Sequence, residues 1–150
     1  MKILNRKLAM CLLVTVCVLG ANAYAKDYTV KELNSGADGS FVFEPDFLHI
    51  QPGDSVHFVA ADPGHSSKSF LVPKGAANWD SEISKDVSVK FVKDGVYLYE
   101  CVPHQAYGML GVIQVGNAVN KAAAEKAAQT VESKQLMNQG RLEKLMKEVK

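Results

Sequence analysis

Cysteine is scarce in this chain: there are three in 150 residues, and two of them, Cys11 and Cys17, lie in one apolar segment near the N-terminus. Neither sign of charge dominates, with 17 Lys and Arg against 16 Asp and Glu. Such a balance excludes a whole-protein electrostatic grip on nucleic acid. No apolar run reaches the about 20 residues that a membrane-spanning helix needs. The longest, Leu8–Gly20, is thirteen residues of apolar or small character. No Ser-His-Asp arrangement, phosphate-binding loop or nucleotide motif is present, so hydrolysis and nucleotide chemistry have no support. Proline is missing altogether from residues 117–150, which hold one glycine. What is present is 47% apolar composition, enough to exclude intrinsic disorder and to fill one domain core.

The first 25 residues have the layout of a secretory leader. Lys2, Arg6 and Lys7 precede the apolar run, and Ala23-Tyr24-Ala25 offers small residues at a cleavage site. Cleavage after Ala25 leaves a chain that begins at Lys26, resides in the periplasm and has no membrane segment. It also leaves one cysteine, Cys101, which cannot form an internal disulfide. A lone thiol outside the cytoplasm is either buried and inert or committed to chemistry.

From Tyr28 to Val115, short apolar or alternating runs are separated by turn residues. They predict strands at Tyr28–Leu33, Phe41–Glu44, Phe47–Gln51, Ser55–Ala60, Lys68–Leu71, Val87–Phe91, Gly95–Glu100 and Gly111–Val115. Asn34-Ser35-Gly36, Pro52-Gly53, Asp62-Pro63-Gly64 and Asp94-Gly95 read as turns. This spacing predicts an all-β antiparallel sandwich or barrel over 26–116. Residues 117–150 then switch to Ala, Lys, Glu and Gln. Ala118–Gln129, capped by Asn117, reads as one helix, and a second starts near Thr130 or Ser133. Leu136, Met137, Leu145, Met146 and Val149 form its apolar stripe, with Leu142 at the edge. The tail carries seven bases and four acids, whereas 26–116 carries seven bases and twelve acids. A basic helical hairpin packed on an acidic β-domain is expected, with Met137 and Met146 as core contacts.

The chemistry concentrates in Cys101-Val102-Pro103-His104-Gln105-Ala106-Tyr107-Gly108-Met109, between two predicted strands. His65 lies 36 residues upstream. Two His, one Cys and a weak axial Met form the donor set of a blue-copper centre. Thiolate is soft and suits Cu(I); imidazole suits both oxidation states. A long thioether bond holds the geometry between the preferences of the two states, so little moves on electron transfer. Pro103 stiffens the loop, and Gly108 lets the backbone turn Met109 back. Binding copper would commit the lone exported thiol to chemistry.

Here the chain resembles the pseudoazurins, cupredoxins of the bacterial periplasm. Tyr97–His104 and Gly108–Val115 match their copper loop and last strand. Leu33–Gly39, Val42–Pro45, Pro52-Gly53-Asp54 and Gly64-His65 match their earlier segments, and the helical tail separates the chain from plastocyanins. The resemblance implies an eight-stranded Greek-key sandwich and one copper per chain, cycling between Cu(I) and Cu(II). It assigns the ligands to His65, Cys101, His104 and, axially, Met109, with the exposed edge of His104 as electron port. Around them it places Asn34, which braces the ligand loops, together with Ser66 and Pro103. The family usually has Asn where Ser66 stands, so the side-chain tie between loops is expected to be shorter or lost. The implied role is one-electron shuttling by a monomer to a periplasmic redox enzyme or cytochrome, typically a copper nitrite reductase. Ser35, Pro63 and Glu100 stand where the family has lysines, which weakens steering toward an acidic partner. A periplasmic copper-binding or delivery protein is the alternative; the closed ligand set disfavours an enzyme.

His49 and His57 read as outward or hydrogen-bonded sheet residues, and Trp79 as core or rim. Glu100 reads as a surface residue, pointing opposite to the Cys101 thiolate by strand alternation.

Overall fold

A computed structural model describes residues 24–150. The segment read as a leader, apart from its last two residues, lies outside them. Eight strands run as β1 (Asp27–Gly36), β2 (Gly39–Glu44), β3 (Phe47–Ile50), β4 (Ser55–Val59), β5 (Lys68–Leu71), β6 (Val87–Lys90), β7 (Gly95–Glu100) and β8 (Leu110–Val115). Helices α1 (Lys121–Glu132) and α2 (Arg141–Met146) follow. Among the described residues no helix is long and apolar enough to cross a membrane.

The strands form two four-stranded sheets, ordered β2-β1-β4-β6 and β3-β8-β7-β5. Four pairings are antiparallel, but β1·β4 and β3·β8 are parallel. The expectation of a purely antiparallel sandwich is corrected there. Alternation reports which face of a strand is buried, and nothing about the direction of its neighbour. Asn34-Ser35-Gly36 is also strand rather than turn. β1 continues through it until Gly36 pairs with Gly39, leaving Ala37-Asp38 as a two-residue hairpin loop.

β7 explains why the tail is needed. Tyr97 and Tyr99 point into the core between the sheets, beside Phe43, Phe58, Trp79 and Phe91. Val96 and Leu98 point the other way, and so do Leu110 and Val112 of β8. A sheet that is apolar on both faces needs a second cover. Ala124 and Ala128 of α1, with Leu142, Leu145 and Met146 of α2, supply it. The basic tail therefore meets the β-domain mainly through apolar contact. The Lys144–Asp38 pair, at 3.5 Å, is exposed and adds little.

Both helices depart from the expected bounds. Asn117 is not the cap of α1; its amide donates to Asp94 at 2.9 Å. Asn120 precedes α1, and its side chain bridges the backbone of Val96, accepting from its N–H at 2.7 Å and donating to its carbonyl at 2.9 Å. The second helix is only six residues long, because Gly140 takes the left-handed conformation at its start. Leu136 and Met137 consequently lie in a non-helical link and are exposed, 72% and 44%, so Met137 is not a core contact while Met146 is.

Candidate metal centre

Three predicted ligands converge. Within His65, Cys101 and His104, one donor atom from each lies within 4.8 Å of the others. The Cys101 Sγ stands 3.7 Å from Nδ1 of His65 and 3.5 Å from Nδ1 of His104. His65 is supplied by the loop between β4 and β5, Cys101 by the end of β7, and His104 by a 3-10 turn, Val102–Tyr107.

The copper loop is built to hold these groups still. Pro103 sits in the first turn, where a missing N–H costs nothing. The His104 N–H donates to the Cys101 carbonyl at 3.1 Å. Gly108 closes the turn at φ 75°, where a side chain would be strained. A Cβ there would also stand 2.8 Å from the Met137 carbonyl, so the tail presses on the loop at this point. Beyond it the Met109 N–H donates to His104 at 3.2 Å, and the Met109 carbonyl accepts from the Cys101 N–H at 3.0 Å. Met109 is fully buried in the same cluster as Cys101.

Hydrogen bonds select the protonation pattern. Asn34 Oδ1 can only accept, so Nε2 of His65, 3.1 Å away, carries the proton. Its Nδ1 is then the lone-pair nitrogen, and that is the atom facing sulfur. Burial, and then the His104 imidazole, push the His65 pKa down, with Asp62 opposing them. Burial also lowers the pKa of His104. Both shifts favour the neutral ring, the form a metal ligand needs. Burial pushes the Cys101 thiol up, while the Ser66 N–H, donating to Sγ at 3.4 Å, stabilises the thiolate.

The donor set fits a thiophilic ion. A thiolate and an imidazole bound at about 2.3 and 2.0 Å in tetrahedral array stand about 3.5 Å apart. Both sulfur–nitrogen separations lie close to that, and Nδ1 of His65 offers its lone pair.

The family model for copper binding proteins of the plastocyanin/azurin family matches residues 30–116. The chain belongs to the pseudoazurins. It is 35% identical over 112 residues to the pseudoazurin of Paracoccus pantotrophus, covering 73% of this chain and 77% of that one. It is 37% identical over 109 residues to that of Methylorubrum extorquens, covering 71% and 74%. A pseudoazurin structure from Methylobacterium extorquens AM1 superposes with a TM-score of 0.70 at 32% identity, covering 83% of this chain and 99% of that one. Copper is accordingly the cofactor, and pseudoazurins are blue-copper electron-transfer proteins.

Around the ligands the structure adds to the sequence reading. Ser66 keeps a loop tie that its short side chain was expected to weaken: its Oγ accepts from the Val102 N–H at 3.2 Å. Glu100 is half-buried rather than a plain surface residue, and burial raises its pKa. His57 and His49 are hydrogen-bonded sheet residues, to Ser88 at 2.6 Å and to the Gly116 carbonyl at 3.2 Å. Two contributors were missed. The Phe41 ring stacks on His104 with centroids 4.4 Å apart. Arg141, largely buried, donates to the carbonyls of Phe41 at 2.7 Å and Gly108 at 2.6 Å, joining tail, hairpin and copper loop. Neither contact has a signature in spacing.

Proposed function

We propose that the chain is a periplasmic one-electron carrier in which Nδ1 of His65, Sγ of Cys101, Nδ1 of His104 and the Met109 thioether would hold a single copper. The observation that carries this is the Cys101 sulfur facing Nδ1 of two imidazoles, His65 at 3.7 Å and His104 at 3.5 Å. Copper supplies the redox couple, Cu(II) to Cu(I). The chain's residues supply rigidity. Asn34 orients His65, the Ser66 N–H donates to the thiolate, and the closed Cys101–Met109 backbone bridge fixes the loop. Preset ligands leave little to rearrange when the charge changes.

His104 is the least covered of the three converging ligands and lies next to exposed Val102 and Tyr107, so electrons pass through its edge to a redox-protein partner. Asn34, Ser66 and Pro103 support the ligands without binding the metal. Residues 1–25 serve as a cleaved leader, and 26–116 with the tail 117–150 make one monomeric domain. The partner is a periplasmic redox enzyme or cytochrome; family analogy points to a copper nitrite reductase, but Ser35, Pro63 and Glu100 weaken the steering that such a partner would need and count against it.

Electron self-exchange of the copper-loaded protein, compared with copper transfer to an apo acceptor, separates carrier from delivery protein. Fast self-exchange with slow copper loss is expected. Rapid copper transfer with negligible redox cycling would overturn the carrier reading in favour of delivery.

A further inference from the structure

Glu32 is a carboxyl group inside the sandwich. It is fully buried, and neither of its oxygens has a hydrogen-bond partner. The nearby Tyr99 hydroxyl is buried and unpartnered too. Along β1, Val30, Glu32 and Asn34 fall on the same side by alternation. Asn34 is the residue that orients His65, so Glu32 lies one inward position behind the ligand brace. Its strand neighbour across the ladder is Phe43.

The groups that face it are few. Asp86, from the segment before β6, opposes its ionisation, after burial itself. Tyr99 and Cys101, at the end of β7, both feel its charge, and Asp46 acts on Tyr99. Asp62 meets β1 through its N–H, which donates to the Glu32 carbonyl at 3.1 Å, and turns its carboxylate to the Asn34 N–H at 2.7 Å. An ionised carboxylate with no donor in an apolar core is costly unless a positive charge offsets it. Among the described residues no cation acts on Glu32 appreciably; the metal centre would supply that charge, one unit more positive when oxidised.

We propose that Glu32 is a proton site coupled to the electron at the copper centre. When the centre accepts one electron from a reduced redox partner, the Glu32 carboxylate takes one proton from solvent and becomes neutral. When the electron leaves, the proton returns to solvent. Charge balances at each step: one electron and one proton enter together and leave together. The inference rests on the copper-carrier reading; the carbon chemistry of Glu32 is unchanged throughout.

The test is the reduction potential of the copper-loaded full-length mature chain between about pH 5 and about pH 9, for wild type and Glu32→Gln. Redox-difference infrared spectra of wild type with isotope-labelled glutamate accompany it. A falling potential is expected, approaching a tenfold shift in the reduction equilibrium per pH unit, about 59 mV for one electron. A labelled carboxyl band should appear on reduction. Glu32→Gln should flatten the slope and remove the band, leaving only any His104 protonation in acid. A flat wild-type potential, or reduction without a labelled carboxyl band, overturns the proposal. The infrared experiment needs no variant, so a poorly folding Glu32→Gln leaves it decisive. If copper loading gives no thiolate-to-copper band, the carrier reading fails first. A flat potential on a blue protein sinks only the proton coupling.

Discussion

The Phe41 ring lies on the His104 imidazole, with centroids 4.4 Å apart and planes 17° from parallel. Phe41 reaches that position with φ at 51°, a left-handed conformation that is costly for a bulky residue. The stack and the Arg141 bond to its carbonyl hold it there. Residues in such conformations gather where a site needs a side chain aimed.

Phe41→Ala should lower stability by about 1 kcal/mol or more, through lost stacking and burial. Phe41→Gly should be more stable than Phe41→Ala by about 1 kcal/mol, because glycine accepts positive φ freely. That order reverses the usual preference within a strand. Urea unfolding of the two variants measures it.

Arg141 joins three parts of the chain through carbonyls of Asp38, Ser40, Phe41 and Gly108. Its removal takes the donor from the buried Gly108 carbonyl and from the part-buried Phe41 carbonyl. Arg141→Met should cost about 2–4 kcal/mol in urea unfolding, and Arg141→Lys should recover only part, since one ammonium cannot reproduce the planar fork.

Asn34→Ala removes the acceptor that holds the His65 proton on Nε2. Copper affinity should fall about 10–100-fold, as for other losses of a ligand's hydrogen-bond partner. Competition with a chelator of known affinity measures it. Unchanged affinity would show that packing alone orients the ring.

Glu32 also makes a prediction for the copper-free protein. Burial, and then Asp86, raise its pKa from 4.5 to about 7. Below the unfolded value, both states are protonated and nothing is lost. As pH rises toward the folded value, the native state keeps a proton that the unfolded chain has released, so stability falls. It levels off above about 7, lower by on the order of 3 kcal/mol. The difference between wild type and Glu32→Gln in urea titrations across this range isolates the effect from the histidines.

Much of this was legible in the chain itself. The strands β5 and β7 match their expected bounds, because Val96–Tyr99 is bracketed by Gly95 and the loop cysteine, and Lys68–Leu71 by the histidine loop and Pro73. The convergence of Cys101 and His104 was legible because donor chemistry and loop spacing coincide there. The tail was read less well. Leu136 and Met137 fit a helical stripe, yet Gly140 and the Leu136 N–H bond to the Ala106 carbonyl, at 2.8 Å, hold that stretch out of helix. Glu32 could have been found: it shares the period-two face of Val30 and Asn34. Phe41 and Arg141 could not, because their roles depend on strands and helix brought together from opposite ends of the chain.

The most direct measurement is the visible and EPR spectrum of the Cu(II)-loaded protein beside that of Cys101→Ser. The account predicts an intense blue or green thiolate-to-copper band and a compressed copper hyperfine splitting for wild type, both lost in the variant. A colourless wild-type adduct with an ordinary copper EPR signal would contradict it.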